Sequence, residues 1–200
     1  QEEVDLYDPA TGEIESTSDL AQARARFTLT ELSDGRILAA GGGKDEGPYI
    51  ETVEIWDPAT GEWSVAAPMT EPRASHSATL LGDGTVLVVG GRGRLLTAEI
   101  YDPVANAWTA IAGLKESRTD HTASLLSDGR VLVAGGVNSI ALTEIYDPAT
   151  GTWSDGPTML RGRHQHTATT MTDGRVMFVG GQAQDGDERR LSNQPEIFVP

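Results

Sequence analysis

Apolar and polar positions alternate over short spans of this chain, and no stretch carries a helical period. The clearest apolar run is Arg130-Val-Leu-Val-Ala-Gly-Gly136, opened by Asp128-Gly129 and closed by a glycine pair. Further copies begin at Arg36, Thr85 and Arg175. Each of the four follows Asp-Gly, and the aspartates, at 34, 83, 128 and 173, lie 49, 45 and 45 residues apart. A fixed period of this length marks a repeat architecture and settles the fold before any single element does.

One period holds four extended segments, a to d. Segment a opens on His76, His121 or His166, with Phe27 in the first copy, and ends at the Asp-Gly turn, a strong hairpin signal. Segment b is the apolar run, which suits a strand covered on both faces. Segment c reads Glu-Ile-Tyr-Asp or close to it, and a Pro-Ala-Thr-Gly turn returns the chain into d. Tyr7, Trp56, Tyr101 and Tyr146 each stand seven residues before Ile14, Trp63, Trp108 and Trp153. A constant spacing across a constant turn predicts that these residues pair across the hairpin. The last residues, 195–200, read as a fifth copy of c with Phe198 at the aromatic position. The repeat units are thus about 4–50, 51–97, 98–142 and 143–194 with a closing strand 195–200, all within one domain of residues 1–200.

Four antiparallel strands repeated at this period predict an all-β chain, a β-propeller of four four-stranded blades. The double glycine, the aromatic-to-Trp spacing and the wording Arg-x-x-His…Asp-Gly-Arg-Val-Leu-Val-x-Gly-Gly resemble the kelch repeat family, in its bacterial form, over nearly all 200 residues. Copy one departs with Ile14 for Trp and Phe27 for His, copy two with Thr85 for Arg. Kelch propellers resemble rings of about six or seven blades, and four is the low end of the propeller range. Three arrangements follow: part of a longer propeller, two chains sharing one ring, or a small closed ring whose last blade takes the N-terminal hairpin. An open edge strand invites pairing, so a homodimer or larger assembly through edge strands is expected of an open half-ring.

Composition narrows the function. Fifteen basic residues against thirty acidic give a net charge of −15, which disfavours nucleic acid. With no cysteine, disulfides, thiolate nucleophiles and zinc–thiolate sites are excluded. No apolar run approaches the ~20 residues of a spanning helix. No signal peptide is visible, and the first residue is Gln1 rather than Met, so the chain reads as processed, trimmed or a fragment. With the family resemblance, this implies an extracellular or periplasmic location. The copper-radical oxidase branch of kelch proteins needs a cysteine bonded to tyrosine and does not fit; a branch that isomerises sialic acid remains open by resemblance.

Antiparallel order places the a–b and c–d turns on one face, read as scaffold, and the variable b–c and d–a loops on the other. The long b–c loops are 43–50 and 182–194. Candidate ligand-binding residues are Arg73, His76, Arg118, His121, Arg163, His164 and His166, with Arg24 beside Phe27, at the start of segment a. Guanidinium forks suit a carboxylate or an acidic sugar. The competing reading is that each Arg pairs with a nearby acid or carbonyl and each His packs, and regular repetition favours it. Residues that break the pattern are better candidates: His164 and Gln165 have no counterpart in the other copies, and His164-x-His166 has the alternation of a metal pair, while Asp185-Gly-Asp-Glu188 resembles part of a calcium loop. Arg92-Gly-Arg94 and Arg189-Arg190 are basic islands. No nucleophile elbow or phosphate loop occurs, and no cofactor or metal is expected. The leading expectation is a non-catalytic module that binds a protein or a glycan. The alternatives are a lyase or epimerase acting on carbohydrate through Arg and His, and a self-assembling structural protein.

Overall fold

The structure is a computed structural model and describes residues 4–44, 47–137, 140–185, 188–192 and 194–199. Among these the chain is all-β. Three complete four-stranded antiparallel blades follow one another. The first holds β3 (Thr28–Glu31), β4 (Ile37–Ala40), β5 (Val53–Asp57) and β6 (Glu62–Ala66). The second holds β7 (Ser77–Leu80), β8 (Val86–Val89), β9 (Ala98–Asp102) and β10 (Ala107–Ile111). The third holds β11 (Thr122–Leu125), β12 (Val131–Ala134), β13 (Thr143–Asp147) and β14 (Thr152–Asp155). A fourth blade has three strands, β16 (Thr167–Thr170), β17 (Val176–Val179) and β20 (Glu196–Phe198). The first strands of successive blades adjoin in the order β3, β7, β11, β16, and so form the inner wall.

The N-terminal hairpin, β1 (Asp5–Tyr7) and β2 (Ile14–Ser16), is a two-stranded sheet of its own. The fourth blade therefore takes β20 as its third strand, and not the hairpin as a small closed ring requires. The b–c loop after β17 is itself a hairpin, β18 (Gln182–Asp185) with β19 (Glu188–Leu191), and β18 pairs with the two residues of β15 (Arg163–His164).

The predicted cross-strand pairs form: Tyr7 with Ile14, Trp56 with Trp63, Tyr101 with Trp108 and Tyr146 with Trp153. The Tyr101 and Trp108 rings meet at 4.9 Å and those of Tyr146 and Trp153 at 5.1 Å, within the range where aromatic pairs add to area burial. The Asp-Gly turn closes a five-residue loop. Its aspartate binds the backbone two residues on, as in Asp128 accepting from the Arg130 amide at 3.1 Å. Gly129 takes φ 88° there, a conformation open to glycine without strain.

The all-apolar b strand is explained by what each face meets. Val86 and Val88 join a core with Leu38 and Ala40 of the first blade. Leu87 and Val89, pointing the other way, join Val131 and Val133 of the third. Leu132 and Ala134 in turn meet Val176 and Phe178. Every residue of β8 is fully buried, and each such aliphatic side chain contributes about 1.5–3 kcal/mol. The core of this molecule therefore lies between blades.

Candidate functional site

Each blade carries the same polar latch, built from the residues that the sequence nominates for binding. Arg118, which precedes β11, is 1% exposed. Its Nε and one terminal nitrogen donate to Glu144 Oε1 on β13 at 3.1 and 2.9 Å. The other terminal nitrogen donates to the carbonyls of Gly135 and Leu142 at 2.8 and 2.9 Å. The second Glu144 oxygen accepts from the Lys115 amide at 2.7 Å. Arg73 and Glu99 repeat the arrangement, with Gly90, Thr97 and the Thr70 amide completing it. Arg24 pairs with Glu54 and binds Gly41 and Thr52. Arg163 makes the loosest copy: it reaches Glu196 at 3.5 Å, and its Nε has no partner among the described residues. All four guanidinium groups thus tie strand c to the segment before strand a.

The histidines join blades. His76 Nε2 shares a hydrogen bond with Thr28 Oγ1 of the preceding blade at 3.1 Å. His121 does so with Ser77 Oγ, and His166 with Thr122 Oγ1, both at 2.9 Å. Each Nδ1 is buried without a partner among the described residues, which favours the Nε2–H tautomer, because an orphan lone pair costs less than an orphan N–H. Burial, then the neighbouring Arg73 or Arg118, lowers His76 and His121 to about 3, and burial with Arg163 lowers His166 to about 4. These imidazoles are neutral at physiological pH. The glycine pair belongs to the same joint. The Gly42, Gly91 and Gly136 amides donate to the carbonyls of Arg73, Arg118 and Arg163 on the next blade, at 2.7–2.8 Å. A Cβ on Gly90 would lie 2.7 Å from the Arg118 carbonyl oxygen and 3.2 Å from His121 Cε1, so only glycine admits this approach.

His164 is also buried, on β15 against β18, with its Nδ1 unpartnered among the described residues. No group of three or more His, Cys, Asp or Glu suited to a metal occurs among the described residues. Of the Asp185–Glu188 stretch, Gly186 and Asp187 lie outside the described residues, as do Asp45 and Glu46 of the first long loop.

Two residues separate each latch arginine from the first residue of segment a, and the second of them, apart from Gln165, is a position that the sequence reading passed over. Arg26, Ser75, Asp120 and Gln165 all take positive φ, between 48° and 61° with the other non-glycine cases. Non-glycine residues held in this region carry strain of order 1–3 kcal/mol, which surrounding bonds must hold. The Ser75 amide donates to the Arg26 carbonyl at 2.8 Å, Asp120 to Ser75 at 3.1 Å and Gln165 to Asp120 at 2.9 Å. A backbone arc thus runs from blade to blade where the inner strands begin. Arg26 and Gln165 are exposed, Ser75 and Asp120 half-buried. Four different side chains are thereby set on one rim by a shared main-chain arc, and the Gln165 side chain also accepts from Gln182 Nε2 at 3.1 Å. The b–c loops border it, for the amides of Gly43, Arg92 and Val137 bond back to Ala25, Ala74 and Thr119.

The opposite, turn-bearing face holds two clefts. One of about 530 Å³ lies between the first two blades, lined by Asp34, Arg36, Asp83, Thr85, Asp102 and Val104. A second of about 300 Å³ lies between the second and third blades. Their carboxylates shape the turns: Asp83 accepts from Thr85 Oγ1 and the Thr85 amide, which hold it below the usual carboxylate range. Asp102 accepts from the Val104 and Ala105 amides.

A family model described as Kelch motif matches residues 26–70 and 118–160. A solved structure titled "Structure of YjhT" is similar over 93% of this chain and 72% of that chain, with a TM-score of 0.77 and 14% identity. No curated protein sequence matches.

Proposed function

We propose that this kelch-repeat β-propeller chain is a non-catalytic binding module that takes a protein or glycan ligand on the rim formed by Arg26, Ser75, Asp120 and Gln165 and on the b–c loops beside it. One observation carries the reading. The frame already holds every guanidinium and imidazole of the Arg-x-x-His element, while the residue just before each strand a differs in each blade and its backbone is bonded to the next blade. Loops and rims on a rigid scaffold are where binding residues concentrate. The alternative of a lyase or epimerase draws on the same Arg and His side chains, which are buried in latches and blade joints.

The rim's chemistry is mixed: a guanidinium, a hydroxyl, a carboxylate and an amide. Such a set suits a hydroxyl-rich sugar or a polar peptide loop more than a purely anionic group. The test is a glycan and protein binding screen with the whole chain, repeated with Arg26→Ala, Asp120→Ala and Gln165→Ala. Loss of affinity of tenfold or more in at least two variants, with unchanged unfolding midpoints, is the expected result. A ligand that binds all three variants as it binds the parent chain removes the rim as the site.

A further inference from the structure

We propose that the cleft between the second and third blades, on the turn-bearing face, is a socket for an arginine side chain of a partner protein. The repeat itself supplies the template. In three of the four a–b turns, the arginine two residues after the aspartate lays its guanidinium on the second carboxylate oxygen. Arg36 meets Asp34 at 2.8 Å, Arg130 meets Asp128 at 2.6 Å and Arg175 meets Asp173 at 2.7 Å. The second blade has Thr85 at that position. The Thr85 hydroxyl and amide both donate to Asp83 Oδ1, at 2.7 and 3.0 Å, so Asp83 Oδ2 has no partner among the described residues.

The two clefts show what the exchange does. Between the first and second blades, Arg36 forms part of the wall. Burial raises the Tyr101 phenol there, and the Arg36 charge opposes the rise. The equivalent cleft between the second and third blades is lined by Asp83, Asp128, Asp147 and Pro148, with no arginine in its wall. Burial raises the Tyr146 phenol beside it, and the charges of Asp83 and Asp147 raise it further. Arg130 holds Asp128 and reaches Asp147 through charge alone, without a hydrogen bond. The place that Arg36 fills in one cleft is therefore open in the next.

A buried hydroxyl serves the same cleft. Tyr146 is 2% exposed, yet its hydroxyl has no hydrogen-bond partner among the described residues. The Tyr101 hydroxyl donates to Asn106 Oδ1 at 2.9 Å, but the third blade has Gly151 where the second has Asn106. The two carboxylates that act on Tyr146 both line the cleft, which sets its hydroxyl toward that space. Two unrelated exchanges, at Thr85 and at Gly151, thus leave unused hydrogen-bonding atoms around one cavity. A guanidinium carries five N–H donors in a planar fork, and so can meet Asp83 Oδ2, the Asp147 carboxylate and the Tyr146 oxygen together, where an ammonium is a point charge. A volume of about 300 Å³ is at the low end of small-molecule sites and suits one long side chain. Leu81, Pro148 and Ala149 give its aliphatic stem an apolar wall. That wall and the buried hydroxyl raise the site above an ordinary exposed ion pair, which contributes little. The net charge of −15 draws a basic partner toward it.

The probe is N-acetyl-arginine amide, whose guanidinium is its only charge, titrated into the isotope-labelled whole chain and followed by backbone NMR. The expected result is saturable shifts at the Gly82, Asp83 and Gly129 amides, with a weaker response to N-acetyl-lysine amide. Thr85→Arg restores the residue of the other three turns, fills the socket from within and abolishes those shifts. Asp83→Asn weakens binding about tenfold, as loss of one charge-assisted hydrogen bond implies. Tyr146→Phe removes a hydroxyl that the frame does not use, and weakens binding about threefold with an unchanged unfolding midpoint. Absence of saturable shifts at these amides overturns the proposal, as does full binding by Thr85→Arg. An equal response to the lysine probe overturns the assignment to a guanidinium. This socket and the rim lie on opposite faces, so failure of one leaves the other standing.

Discussion

Arg118→Met distinguishes a frame residue from a ligand residue. The side chain keeps much of its stem but loses four hydrogen bonds, two to Glu144 and one each to the Gly135 and Leu142 carbonyls. Glu144 is then left 2% exposed with the Lys115 amide as its remaining donor. Breaking a buried pair by removing one partner costs about 3–5 kcal/mol, because the other charge stays desolvated. That is a large part of the roughly 5–15 kcal/mol by which domains are stable. Arg118→Met/Glu144→Leu removes the stranded charge as well, and is expected to lose less than the single variant, with two carbonyls and one amide still wanting partners. Urea unfolding followed by both tryptophan fluorescence and circular dichroism measures the difference, since repeat arrays can unfold in parts. A loss under about 1 kcal/mol for Arg118→Met would refute the latch and return Arg118 to the list of ligand contacts.

Further outcomes follow from the same joints. The three joint histidines have folded values of about 3 to 4 against 6.5 unfolded, so the unfolded chain binds more protons between those limits. Stability is then full above pH 6.5 and declines as pH falls through that window, by up to about 1.4 kcal/mol per pH unit for each histidine. His121→Gln should flatten the slope of unfolding free energy between pH 4 and pH 6. Gly90→Ala meets both a positive φ of 63° and the Arg118 carbonyl, whereas Gly180→Ala meets only φ 71°, so in monomeric protein the first should lower the melting temperature more. Asn106→Gly copies the other hairpin turns, yet should cost about 1–3 kcal/mol, because Asn106 Oδ1 accepts from both the Ala67 amide and the Tyr101 hydroxyl. An unchanged unfolding midpoint would show those two bonds to be idle.

Much of this architecture is legible in residue order, because spacing reports local pairing directly. Seven residues from Tyr101 to Trp108 across one turn fix a register, and an unbroken apolar run announces a strand with two covered faces. Regular repetition also favoured a frame role for Arg73, Arg118 and their counterparts, and the latches fit that side of the choice. The rim was not legible. Arg26, Ser75, Asp120 and Gln165 share a backbone conformation and nothing in side-chain chemistry, so no pattern of residue types marks them. The one trace was position, for each directly precedes the first residue of segment a, and Gln165 alone stood out as having no counterpart in the other copies. Nor does sequence choose between β20 and the N-terminal hairpin as the strand beside β17. Both carry an aromatic c motif, and the backbone pairing of Val176 with Phe198 decides for β20. The hairpin of β18 and β19 was read as a loop because its residues lack the alternation of a half-buried strand.

The backbone arc at the rim has an evolutionary consequence. Since amide and carbonyl groups hold it, a substitution at Ser75 or Asp120 alters what the rim displays without loosening the blades that display it. Each blade then acts as one independently editable letter, and duplication of a repeat lengthens the word by one. Recognition can drift across unrelated ligands while the Arg, His and Gly positions stay under selection for folding alone, which separates the pressure to persist from the pressure to change within a stretch of four residues.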